Sequence, residues 1–90
     1  MLINNDIPIK LHATHSNTTQ RLAEQRFYKN MTIFEVKEIL SKKFGTLSNY
    51  VNLQLNHTTG EVHNLVDENK TLADYLAEDF DTIHVNKRYT

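Results

Sequence analysis

The chain has 90 residues and a formal net charge of -1, with 39% hydrophobic and 23% charged residues. A chain of this size forms one small domain with a modest core, which leaves little room for a deep catalytic cleft. The near-neutral charge gives no long-range attraction to nucleic acid or to a membrane, and the lack of cysteine excludes disulfides, zinc–thiolate sites and a cysteine nucleophile.

Two strands are predicted before residue 30. Apolar and polar residues alternate from Ile7 to His15, which is typical of a half-buried strand. Residues 22–28 predict a second, more ambiguous strand, whose phase also puts Gln25 on the inner side. The side chains predicted to point inward are Ile7, Ile9, Leu11 and Ala13 from the first strand and Ala23 and Phe27 from the second, with Arg26 and Tyr28 outward.

The clearest element is a helix from Ile33 to Phe44. Thr32 is a suitable N-cap, and Glu35 three residues later completes a capping box. Gly45 suits the left-handed position that follows a helix. The apolar residues at helical spacing are Ile33, Val36, Ile39, Leu40 and Phe44. This stripe predicts a helix that packs one face against a sheet.

The second half of the chain predicts three more strands and a short helix. Strands are expected from Tyr50 to Asn56, from Val62 to Val66 and around residues 82–85. The segment TLADYL predicts one or two helical turns that grip the core. Its expected core contacts are Leu72, Tyr75 and Leu76. The order of elements predicts an α+β roll, with a mixed sheet packed on one main helix plus the short helix.

This order and these residues resemble the ubiquitin-like β-grasp fold. The segment NKTLADYLAEDFDTIHV is similar to the ubiquitin pattern of Thr-Leu-x-Asp-Tyr, a short loop and a closing apolar strand. A narrower resemblance, carried by AEQRFYKNMTIFEVKEILSKKFGTLSNYVNLQL, is to the N-terminal ubiquitin-like domains of the tubulin-folding cofactor B family. The shared features are Gln25-Arg26-Phe27, a helix carrying Lys37, Gly45, and a closing Ile-His-Val. The hairpin turn HTTGEVH departs from the family pattern.

The resemblance implies a non-enzymatic interaction module that contributes to α-tubulin folding and to dimer assembly or dissociation with cofactor E. It further implies a cytoplasmic, cytoskeleton-associated protein in which residues 1–90 form a single domain with a core of about 7–86. A coiled coil and a CAP-Gly domain are expected downstream. The isolated domain is expected to be monomeric, with no cofactor and no nucleic-acid or membrane partner.

Two other functions remain open at this point. One is a ubiquitin-like regulatory or adaptor domain of another scaffold or ubiquitin-pathway protein, which a catalytic domain beyond residue 90 would support. The other is a conjugating modifier, which needs a Gly-Gly tail because only glycine threads the channel of an activating enzyme. No glycine follows Gly60 within these 90 residues, so a modifier is disfavoured.

Candidate protein-binding residues come from the resemblance and from expected exposure. The apolar recognition patch of ubiquitin corresponds to the outward positions Gln54, His84 and Asn86, so we predict no binding to ubiquitin receptors. Phe34 is off the helical stripe and is expected to be exposed. A basic group at the second strand would steer an acidic partner such as tubulin. Its expected members are Arg21, Arg26, Tyr28, Lys29 and Lys87.

No catalytic or metal-binding motif is evident in the sequence. The histidines are interpreted as exposed strand and turn residues, although His57 and His63 flank one hairpin turn and are able to approach each other. Asp74 is expected to serve a local turn. The acidic run of Glu78, Asp79 and Asp81 is interpreted as a solvated loop. The sequence therefore predicts no enzyme.

Overall fold

A five-stranded mixed sheet packs on one helix in the computed structural model, which describes residues 7–47, 49 and 51–87. The elements are β1 (Pro8–His15), β2 (Arg21–Tyr28), α1 (Ile33–Phe44), β3 (Val51–Asn56), β4 (Val62–Asn64) and β5 (Thr82–Lys87). The strand order is β2-β1-β5-β3-β4, with β1 and β5 parallel and the other pairs antiparallel. This is the ubiquitin-like β-grasp fold, as predicted.

The bounds of α1 agree with the prediction because both ends are set by local chemistry. The hydroxyl of Thr32 accepts the Glu35 N–H at 3.2 Å, and the Glu35 carboxylate accepts the Thr32 N–H at 2.9 Å. At the other end, Gly45 adopts a left-handed φ of 70° and donates its N–H to the Lys42 carbonyl. No described helix is long and apolar enough to cross a membrane.

The core lies between α1 and the inner face of the sheet. Every strand except β4 contributes to it, and the segment after β4 adds Leu65, Leu72 and Ala77. The buried strand residues are Ile9, Leu11, Ala13, Phe27, Val51, Leu53, Leu55, Ile83 and Val85. These residues alternate along their strands, so the opposite face of the sheet carries the polar positions.

The inward phase predicted for β2 is wrong at one position. The pairing of β1 with β2 shifts between Leu11 and Ala13, where β2 contains one extra residue. Glu24 has a φ of 52° at this β-bulge. The extra residue turns Leu22 toward the core and leaves Ala23 exposed. A strand without a bulge keeps one phase throughout, which is why Ala23 was expected to point inward.

Residues 72–76 form consecutive turns rather than the predicted short helix. The N–H of Ala77 returns to the carbonyl of Leu72, which closes the segment after little more than one turn. Leu72 is fully buried and Tyr75 packs against the core, as predicted. Leu76 is 70% exposed with a left-handed φ of 61°, so its predicted core contact is wrong.

Two strand ends also differ from the predictions. Ile7 precedes β1 and is exposed rather than inward. The strand β4 ends at Asn64, because the N–H of Val66 bonds the Asn64 carbonyl and turns the chain away. The predicted start of the third strand at Tyr50 lies outside the described residues.

Candidate functional site

The outer face of the sheet is the face opposite α1, and a row of polar side chains crosses it. The strand registers align one residue from each strand in this order: Arg21, Thr14, His84, Gln54 and Asn64. The Thr14 hydroxyl and His84 Nδ1 lie 2.7 Å apart. The Gln54 amide donates to the Asn64 side-chain oxygen at 3.4 Å. These bonds order the row and leave further donors and acceptors directed at solvent.

An open groove lies beside this row where β5, β3 and β4 meet. It has a volume of about 300 Å³, and its lining residues are Asn52, Leu53, Gln54, Asn64, Leu65, Val66 and Asn86. Four of these are carboxamides and none is charged. Val66 at the groove is 81% exposed. The groove therefore offers neutral donors and acceptors beside one apolar contact.

The three positions predicted from the ubiquitin recognition patch all lie on this outer face. Gln54 pairs directly with His84, and Asn52 pairs with Asn86 in the next outward row. The side chains of Gln54 and Asn86 line the groove. All three positions carry polar side chains, and the exposed apolar side chain beside them at the groove is Val66.

The other predicted contacts lie away from the groove. Arg26 and Tyr28 project from the edge strand β2, where they pair with Lys10 and Pro8. Phe34 is 51% exposed in the helix layer, so it does not share a surface with the outer face.

The predicted basic group is divided between the two ends of β2. Arg21 pairs with Thr14 near one end, and Arg26 lies roughly 15 Å away at a rise of about 3.3 Å per residue. Lys29 forms an ion pair with Glu78, with Nζ 3.5 Å from Oε2. The cations on this strand therefore form two separate sites, rather than one patch.

Asp81 is a buried structural carboxylate, so the prediction of a solvated acidic loop is wrong for this residue. Its side chain is only 1% exposed. It accepts the Thr58 N–H at 3.0 Å, the Glu78 N–H at 2.9 Å, and a bond from His57 Nδ1 at 2.7 Å. The sequence contained a signal for this burial, because Asp81 continues the inward alternation of Ile83.

The turn histidines approach each other as the sequence allowed. The rings of His57 and His63 meet edge to face, with centroids 5.0 Å apart. The His57 side chain is 9% exposed, so its interpretation as an exposed turn residue is wrong. Among the described residues, no three His, Cys, Asp or Glu side chains converge as a metal site would require. Asp74 accepts the Thr71 N–H at 2.9 Å, which confirms its role in a local turn.

His15 is buried, which also corrects the prediction of exposure. Its Nδ1 accepts the Asn17 N–H at 3.0 Å, so in the neutral ring Nε2 carries the proton and donates to the Thr46 hydroxyl at 3.2 Å. Burial lowers the pKa of His15 below its usual value, and the nearby His84 and Lys87 lower it further. His15 therefore favours the neutral form and holds the β1 end against the loop after α1.

The comparisons with known proteins identify the family. Residues 8–88 match the family model described as a ubiquitin-like domain. The structure of tubulin-binding cofactor B from Trypanosoma brucei superposes with a TM-score of 0.85 and 30% identity, covering 92% of this chain and 98% of that one. The chain belongs to the ubiquitin-like domains of the tubulin-folding cofactor B family.

Two further relatives are similar to this chain. Tubulin-folding cofactor B of Arabidopsis thaliana is 33% identical over 84 residues, which cover 92% of this chain and 35% of that protein. The N-terminal ubiquitin-like domain of cofactor B from Drosophila melanogaster has a TM-score of 0.80 at 19% identity, covering 92% of this chain and 87% of that one, and shows the fold alone. The chain spans about a third of the length of the curated cofactor B relative.

Proposed function

We propose that this domain is a non-enzymatic interaction module of a tubulin-folding cofactor. It acts in the cytoplasm with the tubulin cytoskeleton, where it contributes to α-tubulin folding and to dimer assembly or dissociation with cofactor E. The observation that carries this proposal is the similarity to Trypanosoma brucei tubulin-binding cofactor B, which extends over 98% of that chain. In this proposal the domain is monomeric and is the N-terminal module of a longer protein with a coiled coil and a CAP-Gly domain.

The outer face of the sheet is the contact surface in this proposal. The face has no helix over it among the described residues, and its side chains are held by cross-strand bonds such as Thr14 to His84. Ordered polar side chains lose less conformational entropy on binding than mobile ones. The partner is expected to be bound mainly through hydrogen bonds and bridging waters at Gln54, His84 and Asn86.

This surface separates the proposed function from ubiquitin signalling. A ubiquitin receptor buries apolar anchors against its partner, and Gln54, His84 and Asn86 offer none. We expect a helical ubiquitin-interacting motif to produce no chemical-shift change on β3 or β5 of this domain. Clear shifts on those strands would contradict this expectation.

Affinity measurements with purified tubulin dimer and with cofactor E test the proposal. Gln54→Ala and Asn86→Ala are expected to weaken binding together, because both side chains line the same groove. Lys43→Ala is the matched control, since Lys43 is exposed on α1 and not on the sheet. Failure of the domain to bind either protein would overturn the proposed function. Equal losses for the control would overturn the choice of surface.

A further inference from the structure

We propose that a second site, at the corner formed by β1, β2 and the segment before β5, binds a peptide carboxylate flanked by an apolar side chain. The residues of this corner site are Lys10, Arg26, Tyr28, Asp79 and Phe80. It deepens the proposed function by specifying the chemistry of a partner segment for the same sheet face. It is distinct from the neutral amide groove on the opposite side of that face.

Two cations oppose each other directly at this corner. Lys10 and Arg26 are register partners on antiparallel strands, and both are exposed on the outer face. Directly opposed residues have Cβ atoms about 5 Å apart, and like charges in this arrangement are destabilising. Neither side chain has an ion-pair partner among residues 7–47, 49 and 51–87. An anion bound between Lys10 and Arg26 would offset the repulsion between their two positive charges.

A cavity lies next to the two cations. It has a volume of about 310 Å³ and is lined by Pro8, Ile9, Lys10, Arg26 and Asp79. One Asp79 oxygen accepts the Lys10 N–H at 2.9 Å, which fixes that carboxylate at the cavity. Two cations and one carboxylate leave a single net positive charge. The site therefore matches one carboxylate better than a phosphate dianion.

Two aromatic residues are paired through the backbone with residues that line the cavity. Tyr28 pairs across the strands with Pro8, which lines the cavity. Phe80 donates its N–H to the Lys10 carbonyl at 2.7 Å and contacts the His12 ring, with centroids 5.9 Å apart.

Phe80 itself shows two features that favour a contact role. It has a left-handed φ of 70°, which is costly for a bulky residue, yet its side chain is 50% exposed. The exposed ring provides an apolar contact at a residue whose backbone is bonded to that of Lys10. An acidic residue next to an aromatic or aliphatic one would engage both features.

A titration of the labelled domain with the blocked peptide Gly-Glu-Phe-Gly, followed by NMR, tests the site. We expect shifts concentrated at Lys10, Arg26 and Phe80. Replacing Glu by Gln in the peptide should weaken binding about threefold or more, as for an exposed charge pair. Replacing Glu by phosphoserine should not strengthen it. Equal binding of the Gln peptide, tighter binding of the phosphoserine peptide, or shifts spread over all cations would overturn the proposal.

Matched variants of β2 supply the control. Arg26→Gln should weaken binding of the Glu peptide by about three- to fivefold, whereas Arg26→Lys should retain part of it as a single point charge. Arg21→Gln removes the same charge from the other end of the strand and should leave the affinity unchanged. Equal effects of Arg26→Gln and Arg21→Gln would overturn the site.

The outcomes for the corner site and for the proposed function are separable. If the peptide fails to bind while the tubulin dimer still binds through Gln54 and Asn86, the corner site is refuted and the proposed function stands. If the peptide binds at Lys10 and Arg26 but neither tubulin nor cofactor E binds the domain, the proposed function is refuted and the site stands.

Discussion

Replacing Asp81 by alanine removes three hydrogen bonds from one buried carboxylate. Two of them come from the backbone N–H groups of Thr58 and Glu78, and the third joins His57. A hydrogen bond to a charged group contributes about 1.5–3 kcal/mol, and a buried donor left without a partner loses stability of similar size. These bonds overlap in their effects, so we expect Asp81→Ala to lower the free energy of unfolding by roughly 3–5 kcal/mol. This is a large part of the 5–15 kcal/mol typical of a small domain.

Urea unfolding followed by circular dichroism measures this loss. Asp79→Ala is the matched control, because Asp79 is exposed and accepts one backbone N–H, from Lys10. We expect the control to lose about 1 kcal/mol or less. If Asp81→Ala does not fold, Asp81→Asn provides the measurement, since one amide oxygen still accepts. A loss at Asp81 no larger than that at Asp79 would refute the account of a buried structural carboxylate.

Three further predictions concern stability. Ser41 is buried and its hydroxyl has no hydrogen-bond partner among the described residues. Ser41→Ala should therefore raise the free energy of unfolding by about 0.5–1.5 kcal/mol, measured by thermal unfolding. A lower stability of the variant would show that the hydroxyl is hydrogen-bonded and would contradict the prediction. A methyl group on Gly45 meets no atom within 4 Å, so Gly45→Ala should lower the free energy of unfolding only by the cost of a left-handed backbone for alanine, about 1–2 kcal/mol. Urea unfolding measures this loss, and an unchanged urea midpoint would contradict the prediction. Because folding lowers the pKa of His15, the unfolded chain binds more protons, and stability should fall as pH drops below 6.5 toward the folded pKa. The free energy of unfolding of wild type and of His15→Gln, measured across this pH range, isolates the contribution of His15. Parallel pH dependences of the two proteins would refute the prediction.

The parts of the fold that follow from local chemistry were predictable from sequence. The bounds of α1 depend on a capping box at Thr32 and Glu35 and on Gly45, all adjacent to the helix they limit. The phase of β2 was not predictable, because the bulge at Glu24 depends on the pairing with β1. The exposure of Leu76 depends in the same way on a tertiary turn.

The same contrast between local sequence and tertiary pairing applies to the residues of the candidate sites. Gln54, His84 and Asn86 were placed on one face by the alternation of β3 and β5, which is a property of each strand. The pairing of Lys10 with Arg26 could not be predicted, because fifteen residues lie between them and only the hairpin register brings them together. The prediction for Asp81 is wrong because its acidic neighbours are typical of a solvated loop, although its place two residues before Ile83 continues the inward alternation of β5.

Line broadening in the NMR spectrum of the labelled domain, on addition of substoichiometric tubulin dimer, tests the central claim most directly. The account predicts selective loss of the amide signals of the outer face, including Gln54, His84 and Asn86, while the α1 signals around Lys43 persist. An unchanged spectrum, or broadening confined to α1 around Phe34, would contradict it.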